Sequence, residues 1–361
     1  MKDKGELIHI KQLPMFFIIG RPRTGSTLLR TLFDAHPNVA IPQEWPMLLL
    51  LHMQFGKVTY WDRQTLESFY NALFRPLRIS YWSITNWPGI DIAKLHDDIL
   101  MCEGEQSFET LIKVVYLNHH SFFEKGQIVM IGDKNPATSN YVGQLAKIFP
   151  TAKFIHLVRD YRDNLVSMLD VDFEMPNVSL LTYRWKYSYR TIENCAALYP
   201  ERFYKIRYED FVEQPEREFA DLCHFLNLPS DDSIFGFHKR SHELEASYPP
   251  EIIQRYFKSL MQPIDNRKVG VYKQKLTTKQ IRNADLVAGK WARMAGYEPL
   301  FVRFSWFDYF RVAPAVVYTQ GLYVIGRMAK VLPFDWMLWL INKPSVVVYI
   351  YTKLFKPKAG E

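Results

Sequence analysis

The sequence predicts an α/β fold, and three observations support that prediction. Short apolar runs, which are typical of buried strands, alternate along the chain with segments that have helical spacing. Apolar residues make up 48% of the chain and aromatic residues 15%, which is enough for a sizeable core. The first strand, Met15 to Ile19, leads through a loop with two glycines into a helix, Ser26 to Ala35, with an apolar face.

The remaining elements continue the same alternation. The helix Ser26 to Ala35 ends before His36-Pro37, because the residue before a proline avoids the helical conformation. A short strand is predicted at Val39 to Ile41, and helices with loops over most of 46–125. Further strands are predicted at 127–133, 153–158 and 203–208, and further helices at 138–149, 178–198, 216–227 and 285–295.

The loop from Gly20 to Gly25 has the spacing of an anion-binding site. G-x-x-x-x-G-S-T nearly matches the nucleotide-binding P-loop, G-x-x-x-x-G-K-[ST], in which backbone amides and a helix N-terminus bind phosphates. Ser26 replaces the lysine of that motif, so the nearest cation is Arg23 within the loop. The predicted anion-binding residues are Arg23, Thr24, Gly25, Ser26 and Thr27.

Charge is distributed unevenly along the chain, which has a net charge of +7. Residues 301–361 contain eight Lys or Arg and three Asp or Glu, whereas the first 300 residues contain 37 and 35. This pattern predicts a nearly neutral body, residues 1–300, followed by a basic and aromatic extension, residues 301–361. The small net charge of the body argues against a nucleic-acid partner.

The cysteines and histidines predict neither a disulfide framework nor a metal site. Cys102, Cys195 and Cys223 are far apart and odd in number, and no C-x-x-C pair or histidine pair has metal-ligand spacing. Such cysteine usage favours a reducing compartment. No apolar stretch precedes the first strand, so we expect no signal peptide or N-terminal anchor, and we expect a cytoplasmic protein.

Charged residues stand at the ends of several predicted strands, which is where ligands bind in α/β folds. Glu44 follows the short strand that starts at Val39, and Arg159 follows the strand 153–158. Asp133 ends the strand 127–133, and in a P-loop protein an aspartate there holds Mg²⁺. This last feature keeps a kinase among the alternatives.

Five stretches, taken in order, resemble sulfotransferases, particularly the tyrosylprotein and carbohydrate sulfotransferase group. They are P-R-T-G-S-T-x-L from Pro22, D-K-N-P from Asp133, R-D-x-R-D-x-x-x-S from Arg159, R-Y-E-D-F from Arg207 and V-G-V-Y-K from Val269. The resemblance covers about residues 14–299. It implies a three-layer, P-loop-like fold with a mostly parallel central sheet. It also implies sulfuryl transfer from 3′-phosphoadenosine 5′-phosphosulfate to an acceptor hydroxyl.

The resemblance also implies a role for each matching residue. Arg23 and Lys134 would stabilise charge on the transferred group, and Glu44, at the family's distance from Arg23, would be the general base. Arg159 and Ser167 would hold the 3′-phosphate of the donor. No metal would be required. The rest of the donor would be contacted by Tyr208 at the adenine and by a basic loop with Arg267, Lys268 and Lys273.

One departure from the family bears on the base, and two alternatives stay open. Cytosolic small-molecule sulfotransferases carry a catalytic histidine two residues after the lysine, where this chain has Pro136, so the base role returns to Glu44. A P-loop kinase would need Mg²⁺ and the lysine that Ser26 replaces. A non-catalytic nucleotide-binding module at a membrane would not need Glu44. The expected acceptor is a carbohydrate, a lipid or a small molecule, with protein tyrosine less expected.

The extension 301–361 lies beyond the resemblance and holds fourteen of the 55 aromatic residues. Its longest charge-free run, Val312 to Gly326, has 15 residues, fewer than the ~20 that a membrane-spanning helix needs. Two hypotheses remain: packing on the body or a dimer partner, and binding to a membrane surface. In the second, the aromatic residues at headgroup depth would be Trp336, Trp339, Tyr349 and Tyr351.

Overall fold

The structure is a computed structural model, and it describes residues 4–76, 83–87, 89–171, 173–240, 253, 260–328 and 332–342. Tyr349 and Tyr351 therefore lie outside the described residues. The chain divides into two compact units, which we describe separately. The first unit comprises residues 1–158 and 191–266, and the second comprises residues 159–190 and 267–361.

A parallel sheet forms the centre of the first unit. The described strands are β1 (Met15–Ile19), β2 (Val39–Ala40), β3 (Tyr60–Trp61), β4 (Gly104–Glu105), β5 (Met130–Lys134), β6 (Lys153–Val158) and β7 (Phe203–Arg207). Five of them form the sheet in the order β2-β5-β1-β6-β7, with every neighbouring pair parallel. β3 and β4 form a separate antiparallel pair. Because parallel strands end at the same edge, the residues after β1, β2 and β5 are brought together.

The described helices are α1 (Lys4–Gln12), α2 (Ser26–Ala35), α3 (Leu48–Phe55), α4 (Arg63–Leu73), α5 (Ile92–Leu100), α6 (Phe108–Leu117), α7 (Val142–Ile148), α8 (Tyr161–Leu169), α9 (Val178–Ala196), α10 (Tyr208–Glu213), α11 (Pro215–Leu226), α12 (Tyr272–Lys275), α13 (Thr278–Ala288), α14 (Lys290–Met294), α15 (Trp306–Met328) and α16 (Phe334–Asn342). Short 3-10 helices add Ile84–Asn86, Pro136–Tyr141, Pro200–Arg202 and Asp232–Arg240.

The core of the first unit is built on β1, whose five residues are all buried. Phe16 faces α2 and meets the ring of Phe33 at 4.7 Å between centroids. On the opposite face, Phe17 stacks on Phe154 of β6 at 5.4 Å and contacts Phe149 after α7. Both faces of the sheet are therefore covered, which confirms the predicted three-layer α/β fold.

In the second unit, α15 packs against α9 and α13. Val312 of α15 is buried with Tyr183 and Val287. The rings of Tyr187 and Tyr323 stack with 3.7 Å between their centroids. The start of the predicted extension is thus part of this unit's core. No described helix is both long and apolar enough to cross a membrane.

Several predicted elements differ from the structure by one or two residues at an end, and three differ by more. The strand predicted at 127–133 begins at Met130. Before it, the Asn38 side-chain amide donates to the Gln127 carbonyl and the Val129 backbone N–H donates to the Asn38 carbonyl, so these residues do not join the sheet. The helix predicted at 138–149 starts instead as a 3-10 helix and becomes α7 only at Val142. The helix predicted at 285–295 is two helices, α13 and α14, which meet at Gly289.

Candidate active site

The loop between β1 and α2 requires glycine at both of its ends. A Cβ atom at Gly20 would lie 2.4 Å from the carbonyl oxygen of Leu157. Gly25 has φ 94° and a Cβ there would lie 2.5 Å from the ring of Tyr208. Any other residue at either position would force the loop or the group it contacts to move, and at Gly25 it would also adopt a strained backbone conformation.

Three further groups shape this loop. The Ser139 hydroxyl accepts from the Gly20 amide and donates to the Gly20 carbonyl, both at 2.9 Å. Thr24 is buried, and its hydroxyl donates to the Arg21 carbonyl at 2.9 Å. Arg23 adopts a left-handed backbone conformation, with φ 68°, which costs about 1–3 kcal/mol and is typical of functional loops.

The loop delivers the chain to the N-terminus of α2. Its cap residue, Gly25, offers no side-chain hydrogen bond to the first-turn amides, and no acidic residue lies in the first turn. The end of the helix therefore keeps its partial positive charge next to Arg23. This arrangement is suited to binding an anion, as the sequence predicted for the segment from Arg23 to Thr27.

Glu44 and Lys134 meet at the carboxyl edge of the sheet. The Lys134 ammonium at the end of β5 donates to Glu44 Oε2 at 2.7 Å and to the Thr27 hydroxyl at 3.3 Å. The Lys134 side chain is 5% exposed and that of Glu44 is 23% exposed. The structure thus brings together three of the predicted site residues, Thr27, Glu44 and Lys134, within the first unit.

Tyr208 also belongs to the first unit. It begins α10 directly after β7, and its side chain is buried in the core cluster beside α2. Its ring lies against Gly25 of the anion-binding loop. The predicted adenine residue is therefore held next to the loop by packing.

Arg159 and Ser167 lie in the second unit. Arg159 is buried at the start of this unit, and Trp185 donates its indole N–H to the Arg159 carbonyl at 3.0 Å. One guanidinium nitrogen of Arg159 donates to the Lys268 carbonyl at 2.7 Å. Ser167 is half-buried on α8. The bond to Lys268 ties the arginine to the predicted basic loop.

The basic loop is itself fixed by a buried carboxylate. Asp163 of α8 accepts from the backbone amides of Gly270 at 2.6 Å and Tyr272 at 2.8 Å. The Tyr272 ring carries the guanidinium of Arg162 on its face, 4.3 Å from the centroid. The loop is therefore ordered by these anchors. Its three predicted cations are exposed, and they are Arg267, Lys268 and Lys273.

Comparison with known proteins gives the family. Residues 14–232 match the model of the sulfotransferase family. The chain belongs to this family. It is 24% identical over 300 residues to protein-tyrosine sulfotransferase 1 of Danio rerio, covering 81% of this chain and 74% of that protein.

Other sulfotransferases are similar at comparable levels. The chain is 23% identical over 299 residues to protein-tyrosine sulfotransferase of Drosophila melanogaster, covering 80% of this chain and 52% of that protein. It is 18% identical to the solved sulfotransferase domain of the Synechococcus PCC 7002 olefin synthase, covering 84% of this chain and 94% of that chain, with a TM-score of 0.43. Membership of the sulfotransferase family makes the protein an enzyme that transfers sulfate, and the family implies a nucleotide sulfate donor.

In this sulfotransferase, the side chains of Asp133 and Lys134 lie on opposite faces of the sheet. Neighbouring strand residues point to opposite faces, and Asp133 accepts from the Tyr116 hydroxyl of α6 at 2.6 Å. Burial raises the pKa of Asp133 to about 7, although the Tyr116 hydrogen bond and the charge of Lys134 act in the opposite direction. Among the described residues, no group of three or more His, Cys, Asp or Glu is arranged to hold a metal ion.

Sequence reasoning missed several residues that support this site. Ser139 and Tyr116 bond to Gly20 and Asp133 from positions far away in the sequence, and nothing in their local pattern indicates it. Asp163 lies within the R-D-x-R-D-x-x-x-S stretch, but its bond to Gly270 of the basic loop, 107 residues later, could not be read from that stretch. Arg30 was missed as well. At helical spacing it lies with Asp34 on the side of α2 opposite the apolar face, and only the structure shows that both are buried and paired.

Proposed function

We propose that this sulfotransferase moves a sulfuryl group from 3′-phosphoadenosine 5′-phosphosulfate to an acceptor hydroxyl. In the step, the acceptor oxygen forms a bond to sulfur as the bond between sulfur and the bridging oxygen breaks. The electron pair leaves with the phosphate, giving 3′,5′-adenosine bisphosphate, and the hydroxyl proton passes to a base. The observation that carries the proposal is the meeting of Lys134, Glu44 and the loop-bearing helix α2 at one sheet edge.

The proposed catalytic roles follow from charge and position. Glu44 takes the hydroxyl proton, and its partial exposure leaves it accessible to an acceptor. Arg23 and the loop amides bind the sulfuryl oxygens, and Lys134 stabilises charge on the bridging oxygen. By comparison with oxyanion sites, each such donor would contribute ~3–4 kcal/mol to lowering the barrier. The Lys134–Glu44 ion pair holds both groups at the edge, and Lys134 would turn to the donor when it binds.

The proposed donor contacts beyond the sulfate follow the family resemblance. Arg159 and Ser167 bind the 3′-phosphate, because a guanidinium fork and a hydroxyl both suit phosphate oxygens. The bond from Arg159 to the Lys268 backbone supports a joint role with the basic loop. The other proposed donor contacts are Tyr208 at the adenine, and Arg267, Lys268 and Lys273 at the phosphates.

Isothermal titration calorimetry separates this proposal from a kinase. We expect 3′,5′-adenosine bisphosphate to bind and ATP with Mg²⁺ to give no heat, because Ser26 replaces the lysine that reaches the β- and γ-phosphates. Binding of ATP–Mg²⁺ without binding of the bisphosphate would overturn the proposal. A chain that binds the bisphosphate but shows no transfer with any acceptor would be a binding module.

For the acceptor we propose a hydroxyl on a carbohydrate, a lipid or a small molecule. Two relatives reported above are named protein-tyrosine sulfotransferases, so peptides that contain tyrosine are tested beside the proposed acceptors. Lipid extracts, glycans and tyrosine peptides are incubated with donor and enzyme, and mass spectrometry follows the gain of one SO₃ unit. Gain in the peptides alone would reject the proposed acceptor classes and leave the sulfuryl transfer itself intact.

We also propose that the protein works in the cytoplasm and touches a membrane surface through α15. Trp306, Phe307 and Phe310 are 62%, 63% and 71% exposed, and residues 301–361 have an excess of five positive charges. Exposed aromatics beside cations fit the interface of an anionic bilayer. The three free cysteines are all buried, which is compatible with a reducing compartment.

Vesicle flotation tests the membrane contact. Full-length protein should float with anionic vesicles at low salt, and the triple variant Trp306→Ser, Phe307→Ser, Phe310→Ser should not. The matched control changes three equally exposed residues of the first unit and should still float; it is Ile8→Ser, Tyr60→Ser, Leu198→Ser. A wild-type protein that ignores such vesicles would remove the membrane proposal.

A further inference from the structure

A buried ionic cluster lies beneath the segment that carries Glu44. Arg30 and Asp34 of α2 are 8% and 1% exposed, and His119 and Lys125 complete the cluster from the chain after α6. None of these four residues belongs to the site described above. Because burying charges is unfavourable unless they are paired, this cluster invites a functional explanation.

Arg30 extends the anchoring of the chain toward Glu44. β2 ends at Ala40, so the hydrogen bonds between the strands of the sheet stop before Glu44, the proposed general base. Beyond it, Arg30 donates to two consecutive carbonyls, that of Ile41 at 2.8 Å and that of Pro42 at 3.3 Å. The second carbonyl is only two residues before Glu44. A planar guanidinium can bridge such a pair of acceptors, whereas an ammonium is a point charge.

The rest of the cluster fixes Arg30 itself. Asp34 Oδ2 lies 3.2 Å from the Arg30 guanidinium, and His119 Nε2 lies 3.3 Å from it. Burial lowers the pKa of His119, which favours the neutral ring that can accept from Arg30. Lys125 donates to the Val39 carbonyl at 2.7 Å and so pins β2 to the same cluster.

One helix therefore sets both ends of the Lys134–Glu44 contact. The N-terminus of α2 follows the anion-binding loop, Thr27 on its first turn contacts Lys134, and Arg30 on the next turn holds the Glu44 segment. We propose that Arg30 is a positioning residue that fixes Glu44 relative to the anion-binding loop. This inference rests on the proposed role of Glu44 as base.

The test compares Arg30→Lys with a matched buried lysine. Arg30→Lys keeps the charge beside Asp34 but loses the fork, so Glu44 should shift and kcat should fall ~10²-fold, the effect of about 1 Å of misplacement. The affinity for 3′,5′-adenosine bisphosphate, measured by calorimetry, should stay unchanged. The control is Lys113→Met. Lys113 is also buried, pairs with Glu109 one turn away and binds a carbonyl, that of Lys11 on α1. The Lys113→Met substitution should lower the melting temperature and leave kcat unchanged.

A double-mutant cycle with Glu44→Gln separates positioning from folding. If Arg30 acts through Glu44, adding Arg30→Lys to Glu44→Gln should cause no further loss of kcat. Two results would overturn the inference and leave the proposed function standing. One is that Arg30→Lys lowers kcat equally with Glu44 and with Gln at position 44. The other is that Arg30→Lys has the kcat of the wild type although Glu44→Gln is impaired. A wild-type kcat for Glu44→Gln would remove the proposed base, and the inference with it.

Discussion

Asp133 gives the structure's clearest prediction about stability. Its carboxyl is buried on β5 beside the Tyr116 hydroxyl, and burial raises its pKa to about 7 from the ordinary value of 3.8. At a pH between these two pKa values, Asp133 carries a proton in the folded protein but has lost it in the unfolded chain. The contribution of this group to stability is therefore full below about pH 4 and is lost as the pH rises to about 7.

The magnitude follows from the size of the shift. A difference of about three pKa units corresponds to ~4 kcal/mol, at 1.36 kcal/mol for each unit. Asp133→Asn keeps an acceptor for the Tyr116 hydroxyl and carries no charge at any pH. We therefore expect the variant to match the wild type near pH 4 and to be more stable by up to ~4 kcal/mol at pH 8.

Urea unfolding at several pH values measures this difference directly. Asp34→Asn is a control of opposite sign. Burial would raise the pKa of Asp34, but the positive charges of Arg30 and Lys125 hold that pKa well below its ordinary range. That variant should be destabilised at neutral pH and approach the wild type in acid. A stability gain for Asp133→Asn that does not change between about pH 4 and pH 8 would refute the reasoning.

Two further predictions concern the donor site. Arg159→Ala should weaken the binding of 3′,5′-adenosine bisphosphate far more than that of adenosine 5′-phosphate, because only the former carries the 3′-phosphate; calorimetry that finds equal losses would contradict the assignment. Gly25→Ala should weaken both nucleotides and lower the melting temperature, since its Cβ would lie 2.5 Å from the Tyr208 ring; Gly143→Ala, with open space around it, is the control.

The elements built from local patterns could be predicted from the sequence. β1, β6 and α2 have their predicted bounds, because β1 is an uninterrupted apolar run, β6 is apolar at four of its six positions, and α2 has one apolar face. The start of β5 could not be predicted, since it depends on Asn38, far away in the sequence, which forms hydrogen bonds with the backbone of Gln127 and Val129. Pairing partners decide where a strand begins, and apolar composition alone does not show them.

The same distinction applies to the candidate site. The loop from Gly20 to Gly25 has a local signature, and its need for glycine is visible in the structure. The contact between Glu44 and Lys134 joins residues 90 positions apart, so only the parallel order of the sheet creates it. The support given by Arg30 depends on carbonyl groups, which look the same in every sequence.

Glu44→Gln tests the central claim, sulfuryl transfer with Glu44 as base, most directly. The substitution keeps the shape of the side chain and a hydrogen bond to Lys134 but removes the group that accepts the proton. Turnover should fall by ~10²–10⁴-fold, the usual contribution of a general base, while the affinity for 3′,5′-adenosine bisphosphate and the melting temperature stay close to wild type. Turnover at the wild-type rate would show that the base lies elsewhere and would contradict the account.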